Sequence, residues 1–474
     1  MRTARPSSSK RPAAAAKRPL PSAATERPGS RPRRATGGSE IERTEFTSGL
    51  RVLSERMPSV RSVTLGFWVT TGSRDERPNI AGASHFLEHL LFKGTHSRSA
   101  RDIAEAFDAV GGDFNAFTSK ETTVFYARVL DRDLGMAVSL LCDMLQGSVL
   151  DRKDFEAERQ VILEEINMHE DTPDDLVHDL FTETLWTGHP LGRPVLGTVD
   201  SINGMNRDQV FRFYRRHYEP ANLVVAAAGN VDHAVLVDAL QQGMQTGRVR
   251  SRGRSAWTLR SVGRPPRPSG SRLIRNRATE QAHIMLGTNG LSRSDPDRFA
   301  FGIVNAALGG GMSSRLFQEI REQRGLAYSV YSYHQMYAEA GLFAMYSGTT
   351  PGRATEALSL LQREAAKMAE SGLTSEEFER AKGHVKGSMV LSLEETSGRM
   401  SRLGRSETGH GEILSLDEML DRVERVSLDD ANAVAARVLS QPMALTVLGP
   451  FDDDAFGGSD PDVADEAAAF HPEG

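Results

Sequence analysis

The chain has 474 residues, a formal net charge of −6 and ordinary proportions of apolar and charged residues. This length suits two domains better than one, and the acidic balance argues against a nucleic-acid partner. The single cysteine, Cys142, excludes an internal disulfide and fits a reducing compartment, and no apolar run is long enough to span a membrane.

Residues 1–40 form a basic extension that is expected to be disordered. They carry ten Lys or Arg and six Pro against two acids, Glu26 and Glu40. Such a composition cannot bury a core, and the lack of an apolar segment excludes a secretory signal. A mitochondrial transit peptide would also be Arg-rich, but the prolines would break its amphipathic helix. We interpret the protein as bacterial and cytoplasmic, with the mitochondrial matrix as the alternative.

Folding is predicted to begin near Ile41 with a β-hairpin, because two strand-like stretches there flank a Ser-Gly turn. Residues 63–69 then alternate apolar with polar or small side chains, which predicts a strand with one buried face. Further strands are predicted over residues 123–130 and 222–229. The first domain is expected to span residues 41–247.

Residues 82–95 are predicted to include a buried helix that carries two imidazoles and a carboxylate. His85 and His89 are four residues apart and therefore lie on one helix face, as two ligands of one metal ion require. A lone buried histidine would be better explained by a structural hydrogen bond. The pair together with Glu88, however, forms H-x-x-E-H, the signature of the inverzincins, in which the glutamate is the general base.

A catalytic zinc site needs a third protein ligand and leaves one position for water. A second predicted helix, over residues 155–166, offers acidic candidates. Glu158 and Glu165 share one face of it, whereas Glu164 points about 100° away from Glu165, so only one of the latter two can face the metal. Without the motif upstream, a solvated acidic helix face would explain these residues.

Residues 248–272 are rich in Arg, Ser, Pro and Gly and are predicted to be a linker. Beyond it the pattern of the first domain recurs at nearly constant offsets, which indicates a tandem duplication over residues 273–451. The second copy lacks the metal-binding residues, and its matching positions carry Phe301, Val304, Asn305 and Ser388. The acidic tail, residues 452–474, is expected to be disordered.

The segments HFLEHLLFKGT and ERQVILEEI resemble the pitrilysin/insulinase family of zinc peptidases, and within it the mitochondrial processing peptidase β-subunits and their bacterial two-domain relatives. The resemblance extends over nearly all of the two predicted domains. It implies that His85, His89 and Glu165 bind zinc, that Glu88 is the catalytic base, and that Glu158 is an acidic residue supporting the site.

The resemblance also implies a substrate-binding edge strand. In that family substrate peptide adds as a further strand to the segment that matches Asn115, Ala116, Phe117 and Thr118. Unpaired edge groups bind main chain with little regard to side chain. Without the resemblance, a plain turn leading into the next strand would be the better interpretation.

The implied fold is α+β, with two tandem homologous α/β-sandwich domains of the inverzincin type and antiparallel-rich sheets. The implied function is that of a zinc endopeptidase, with one Zn²⁺ per chain, that hydrolyses peptides or unstructured polypeptide segments inside a chamber. A non-catalytic assembly subunit is the alternative, although such relatives normally have broken motifs.

Larger relatives carry four such domains in one chain, with zinc in the first and a matching Arg and Tyr in the fourth. A chain with two domains is therefore expected to act as a dimer, a homodimer or else a heterodimer. In this dimer Arg321 and Tyr328 of one chain would contact substrate at the zinc of the other.

Overall fold

The computed structural model describes residues 29–30, 41–245, 260, 263–267 and 270–456. Three predicted segments therefore lie wholly or mostly outside the described residues: the basic extension 1–40, the linker 248–272 and the acidic tail 452–474. Among the helices that the structure describes, none combines the length and the apolarity needed to cross a bilayer.

The described residues contain twelve β-strands and fourteen α-helices. The strands are β1 (Gly29–Ser30), β2 (Ile41–Glu45), β3 (Arg51–Arg56), β4 (Ser62–Val69), β5 (Asp113–Thr118), β6 (Thr123–Leu130), β7 (Leu223–Gly229), β8 (Arg272–Asn276), β9 (Ala282–Gly290), β10 (Ala327–Met336), β11 (Gly341–Thr349) and β12 (Ala444–Gly449). The α-helices are α1 (Ala83–Leu91), α2 (Ala100–Asp108), α3 (Leu134–Gly147), α4 (Arg152–Glu170), α5 (Pro173–Leu185), α6 (Val199–Gly204), α7 (Arg207–His217), α8 (His233–Gln245), α9 (Arg298–Gly309), α10 (Ala354–Ser371), α11 (Ser375–Ser392), α12 (Thr396–Arg405), α13 (Leu416–Glu424) and α14 (Leu428–Leu439).

The first half of the chain forms a seven-stranded sheet with the order β1-β2-β3-β7-β4-β6-β5. Strands β2 and β3 form the predicted antiparallel hairpin, and β3 then pairs with β7 in parallel. The remaining neighbours are antiparallel. This order leaves β5, which contains the predicted substrate-binding segment, at one edge.

The second half repeats this topology in a five-stranded sheet. Its order, β8-β12-β9-β11-β10, matches β3-β7-β4-β6-β5 of the first sheet, and its one parallel pair, β8 with β12, matches β3 with β7. Helix α9 packs on α11 as α1 packs on α4. The predicted α+β fold with two homologous halves is therefore confirmed. Phe301 and Val304 align with His85 and Glu88 of the first half. Both are fully buried in the core of the second half.

The prediction that β4 has only one buried face is wrong, because seven of its eight residues are buried. Helix α12, from the second half of the chain, covers the other face. The Thr64 hydroxyl forms a hydrogen bond of 2.7 Å with that of Thr396, and the indole N–H of Trp68 donates to the Met400 sulfur at 3.4 Å. Alternation within a strand cannot reveal a covering helix that comes from the other end of the chain.

Gly404 marks a close approach of α12 to the first sheet, because a Cβ at this position would collide with the indole of Trp68. Trp68 is only 2% exposed and cannot move aside freely. We expect Gly404→Ala to lower the free energy of unfolding by about 1–3 kcal/mol. Urea denaturation checks this.

The matched control is Gly387→Ala in α11, where an added Cβ meets open space. Because alanine favours an exposed helix over glycine, this variant should gain up to about 1 kcal/mol. Equal denaturation midpoints for the two variants would contradict the packing of α12 on Trp68.

Candidate metal centre

Helix α1 is fixed at its start by a glycine and by a carboxylate from the preceding loop. Gly82 has a φ of +91°, and a Cβ there would lie 2.6 Å from the carbonyl oxygen of Leu196, so only glycine fits without strain. The Glu76 carboxylate accepts the N–H groups of Gly82 at 2.7 Å and Ser84 at 2.6 Å. Burial raises the pKa of Glu76 to about 7. These contacts set the direction of the helix.

Packing between α1 and α4 brings their polar faces together. The rings of Phe86 and Phe155 stack with centroids 4.4 Å apart and an interplanar angle of 12°. Both rings and the side chain of Ile162 are fully buried. Since Glu158 and Glu165 lie on the same face of α4 as Ile162, they come close to the histidines of α1.

His85, His89 and Glu165 form a three-residue cluster whose candidate ligand atoms all lie within 4.8 Å of one another. Glu165 Oε2 is 3.6 Å from His85 Nε2 and 3.5 Å from His89 Nε2. Ligands about 2.1 Å from a tetrahedral zinc ion are separated by about 3.4 Å, so these spacings fit zinc.

The protonation state of His85 also suits the binding of a metal ion at this cluster. Burial, aided by the neighbouring His89, lowers the pKa of His85 to about 3, so its imidazole is neutral at physiological pH. Only a neutral imidazole has a lone pair for a metal. The competing candidate Glu164 is exposed and is not part of the cluster.

Glu158 orients one of the two imidazoles. Its buried carboxylate lies 3.1 Å from His89 Nδ1 and 2.7 Å from the Lys93 ammonium. A proton on Nδ1 that is donated to a carboxylate leaves the Nε2 lone pair directed at the cluster. Lys93 is not among the predicted site residues; it lies in the turn that follows α1, two residues beyond the end of the helix.

Glu88 is linked to the edge strand. The Thr118 hydroxyl, at the end of β5, donates a 2.6 Å hydrogen bond to Glu88 Oε2. Burial raises the pKa of Glu88, the Thr118 hydrogen bond opposes this rise, and the charge on Glu165 adds to it. The candidate base therefore lies where the edge strand meets the histidine cluster, a contact that no local sequence pattern indicates.

The rest of the predicted substrate-binding segment also lies on β5. Asn115 is exposed, and its side-chain oxygen accepts the N–H of Ala116 at 2.8 Å. Phe117 is 39% exposed and contacts Trp68 edge to face at 6.2 Å. Phe117 and Thr118 thus project from opposite faces of the strand.

Arg321 and Tyr328 contact each other on the second half of the chain. The Arg321 guanidinium lies 4.5 Å from the centre of the Tyr328 ring and donates to the Tyr328 carbonyl oxygen at 2.9 Å. Tyr328 is 80% exposed. Within the described part of the chain, no hydrogen bond, ion pair or ring contact joins either residue to His85, His89 or Glu165.

Two family models match the chain. One, described as "Insulinase (Peptidase family M16)", matches residues 51–199, and the other, "Peptidase M16 inactive domain", matches residues 204–384. A Streptomyces coelicolor protein named as an uncharacterised zinc protease is 51% identical over 418 residues, which cover 88% of this chain and 91% of that protein. A Bacillus subtilis protein with the same kind of name is 40% identical over 410 residues, with 86% and 97% covered.

Solved structures share the fold. A protease from Helicobacter pylori superposes with a TM-score of 0.80 at 21% identity and covers 87% of this chain and 100% of its own. A Pseudomonas fluorescens structure described as a peptidase M16 inactive domain also gives 0.80, at 22% identity, with 87% and 98% covered. The names of the sequence relatives support a protease role. The chain belongs to peptidase family M16, the insulinase family.

Proposed function

We propose that the chain is a zinc endopeptidase that hydrolyses peptides or unstructured polypeptide segments in the bacterial cytoplasm. The observation that carries this proposal is the cluster of His85, His89 and Glu165 with Glu88 beside it. The three clustered residues would bind one zinc ion per chain. When bound, zinc supplies Lewis acidity, which polarises a peptide carbonyl and makes a water molecule more acidic.

The chain's own residues then have distinct roles in hydrolysis. Glu88 accepts a proton from the attacking water and returns it to the leaving amine. Glu158 keeps the His89 ring in one orientation. The edge of β5 binds the main chain of the substrate as an added strand, which places a peptide bond near Glu88 because Thr118 contacts that carboxylate.

Metal content and hydrolysis, measured on the same preparation, test this function. We expect one zinc per chain and cleavage of an unstructured polypeptide such as denatured casein. A chelator should abolish the cleavage, and added zinc should restore it. A zinc-loaded protein that cleaves no unstructured polypeptide would overturn the proposal in favour of a non-catalytic assembly subunit.

We also propose that the working enzyme is a homodimer in which Arg321 and Tyr328 of one chain act at the zinc of the other. Tyr328 is 80% exposed, and in the described chain neither residue contacts the metal-site residues. A guanidinium and a phenol can both donate hydrogen bonds to a substrate carbonyl as it becomes an oxyanion. In a single chain the Arg321/Tyr328 pair would not reach a substrate carbonyl bound at the metal site, so this role requires a second chain.

A mixture of two inactive variants tests the homodimer. Tyr328→Phe should lower the rate by about 10²–10³-fold, because one donor to the developing oxyanion is lost. When Tyr328→Phe chains are mixed with Glu88→Gln chains, activity should return, since each mixed dimer has one intact zinc site facing one intact Arg/Tyr pair.

The control is a mixture of Glu88→Gln chains with chains that carry both substitutions, which should stay inactive. Exchange of subunits is followed with two fluorescent labels. If the labels exchange and the first mixture remains inactive, each chain serves its own zinc and the homodimer proposal is wrong.

A further inference from the structure

A cavity of about 1110 Å³ lies between the first sheet and the second half of the chain. On the side of the first sheet it is lined by Trp68 and Phe117, and on the other side by Tyr331 and Tyr333 of β10. Trp68 belongs to the sheet face that α12 covers. The cavity therefore lies behind the sheet, on the face opposite the metal cluster.

The edge strand connects the two faces. Thr118 contacts Glu88 on the face of the metal cluster, whereas Phe117, the preceding residue, lines the cavity. Successive side chains of an extended peptide also point to opposite faces. A peptide bound along β5 would therefore direct every second side chain toward the cavity.

Most of the charges that line the cavity are paired. Glu121 forms ion pairs with Arg74 at 2.6 Å and with Arg293. Arg260 donates to Asp75 at 2.8 Å. Arg74 is also paired with Glu339, so these three arginines and three carboxylates balance and leave no excess charge for a ligand.

Three further cations that line the cavity form no ion pair among the described residues. One of them, Lys120, donates to the carbonyl oxygen of Arg193, and the other two are arginines. Arg298, at the start of α9, and Arg405, at the end of α12, make no ion pair with any carboxylate among the described residues. Arg298 is partly buried, and among the described residues its guanidinium donates to the carbonyl oxygen of Asp295, at 3.3 Å, and to no carboxylate. A half-buried guanidinium such as that of Arg298 is costly without a carboxylate unless an anion reaches it. Arg405 is exposed, so its guanidinium is accessible to a ligand in the cavity.

The surroundings of His410, which also lines the cavity, show the same excess of positive charge. Its pKa is lowered to about 4, mainly by burial and then by Arg298 and Arg293. The nearby Glu412 opposes this effect, but its carboxylate is paired with Arg422 at 3.0 Å. Among the charged groups that act most strongly on His410, three are arginines and one is a carboxylate, so its surroundings are positively charged.

We propose that the cavity is a second substrate-binding site, which takes a carboxylate of the peptide held on β5 through Arg298 and Arg405. The carboxylate can come from an acidic side chain or from a free C-terminus, since both present the same group to a guanidinium. This inference rests on the proposed peptidase function and adds a preference for anionic peptides. The aromatic lining would contact the apolar parts of the same peptide.

Binding of three kinds of labelled peptide to the Glu88→Gln protein tests this site by fluorescence anisotropy. All share one acetylated sequence. The first kind has Gln at every varied position and an amidated C-terminus, the second is an amidated series in which each member has Glu at one of these positions, and the third has Gln at every varied position and a free C-terminus. We expect at least one carboxylate peptide to bind roughly 10-fold tighter than the neutral one, as one hydrogen-bonded charge pair allows. The peptide that gains affinity identifies the source of the carboxylate.

Arg298→Gln combined with Arg405→Gln should remove this advantage. Arg405→Gln alone, at an exposed position, should weaken it and guards against a folding defect in the double variant. Arg425→Gln is the matched control, because the Arg425 side chain is 81% exposed and does not line the cavity. It should retain the full advantage.

Two results would overturn the proposed anionic site. One is equal affinity for all the peptides, and the other is an unchanged preference for the carboxylate peptides in a folded double variant. Hydrolysis of the neutral peptide by the wild-type chain is measured separately. Absence of hydrolysis with the binding advantage intact would sink the peptidase function and leave the anionic site standing.

Discussion

Glu88→Gln should lower kcat for peptide hydrolysis by about 10²–10⁴-fold, the usual contribution of a general base, while one zinc per chain remains bound. Glutamine has almost the same shape as glutamate, and its carbonyl oxygen can still accept the 2.6 Å hydrogen bond from Thr118. The substitution therefore removes the basic oxygen and leaves the contact with the edge strand. The metal cluster does not include Glu88, so zinc binding should not change.

Single-turnover hydrolysis and zinc content by mass spectrometry, on the same sample, check this expectation. Glu164→Gln provides the same chemical change on the exposed face of α4 and should leave both quantities unchanged. Loss of zinc from Glu88→Gln would mean that Glu88 is a ligand. Full activity would mean that another group takes the proton.

Local periodicity explains why half of the candidate metal centre could be predicted from the sequence. His85 and His89 share a helix face because they are four residues apart, and this spacing holds wherever the helix packs. Glu165 lies on another helix, so the spacing alone left Glu164 as a competitor. The resemblance favoured Glu165, and the contact of Phe86 with Phe155 explains physically why that face of α4 meets α1.

The features that were missed depend on contacts between segments far apart in the chain. Glu76 reaches the start of α1 from a loop, and Thr118 reaches Glu88 from the edge strand. The second buried face of β4 depends on a helix that begins at Thr396. A pattern within one segment reports which side chains are apolar and gives no account of what will cover them.

The cavity behind the first sheet also depends on contacts between segments that are far apart in the chain. Its two unpaired arginines come from α9 and α12, and its aromatic wall comes from both halves of the chain. Nothing in the sequence around Arg298 or Arg405 distinguishes them from the other arginines. Their importance follows from the absence of an ion pair in the described structure, which only the fold reveals.

The choice between Glu165 and Glu164 makes the sharpest test of the metal centre. Glu165→Ala should remove zinc and with it all hydrolysis, because a catalytic site with two protein ligands in place of three holds the metal poorly. The fall in zinc affinity should exceed the roughly 10–100-fold loss that is typical of removing an outer hydrogen-bond partner.

Glu164→Ala is the matched control, since it removes the same carboxylate from the next residue of the same helix. Glu165 has a side chain 37% exposed and Glu164 is exposed, so neither change opens a cavity in the core. Zinc affinity, measured by competition with a chromophoric chelator, should fall for Glu165→Ala and stay at the wild-type value for Glu164→Ala. His85→Ala and His89→Ala should behave like Glu165→Ala. If Glu164→Ala released the metal and Glu165→Ala did not, α4 would have to be rotated by about 100° relative to the histidines, and the cluster described above could not be the metal site.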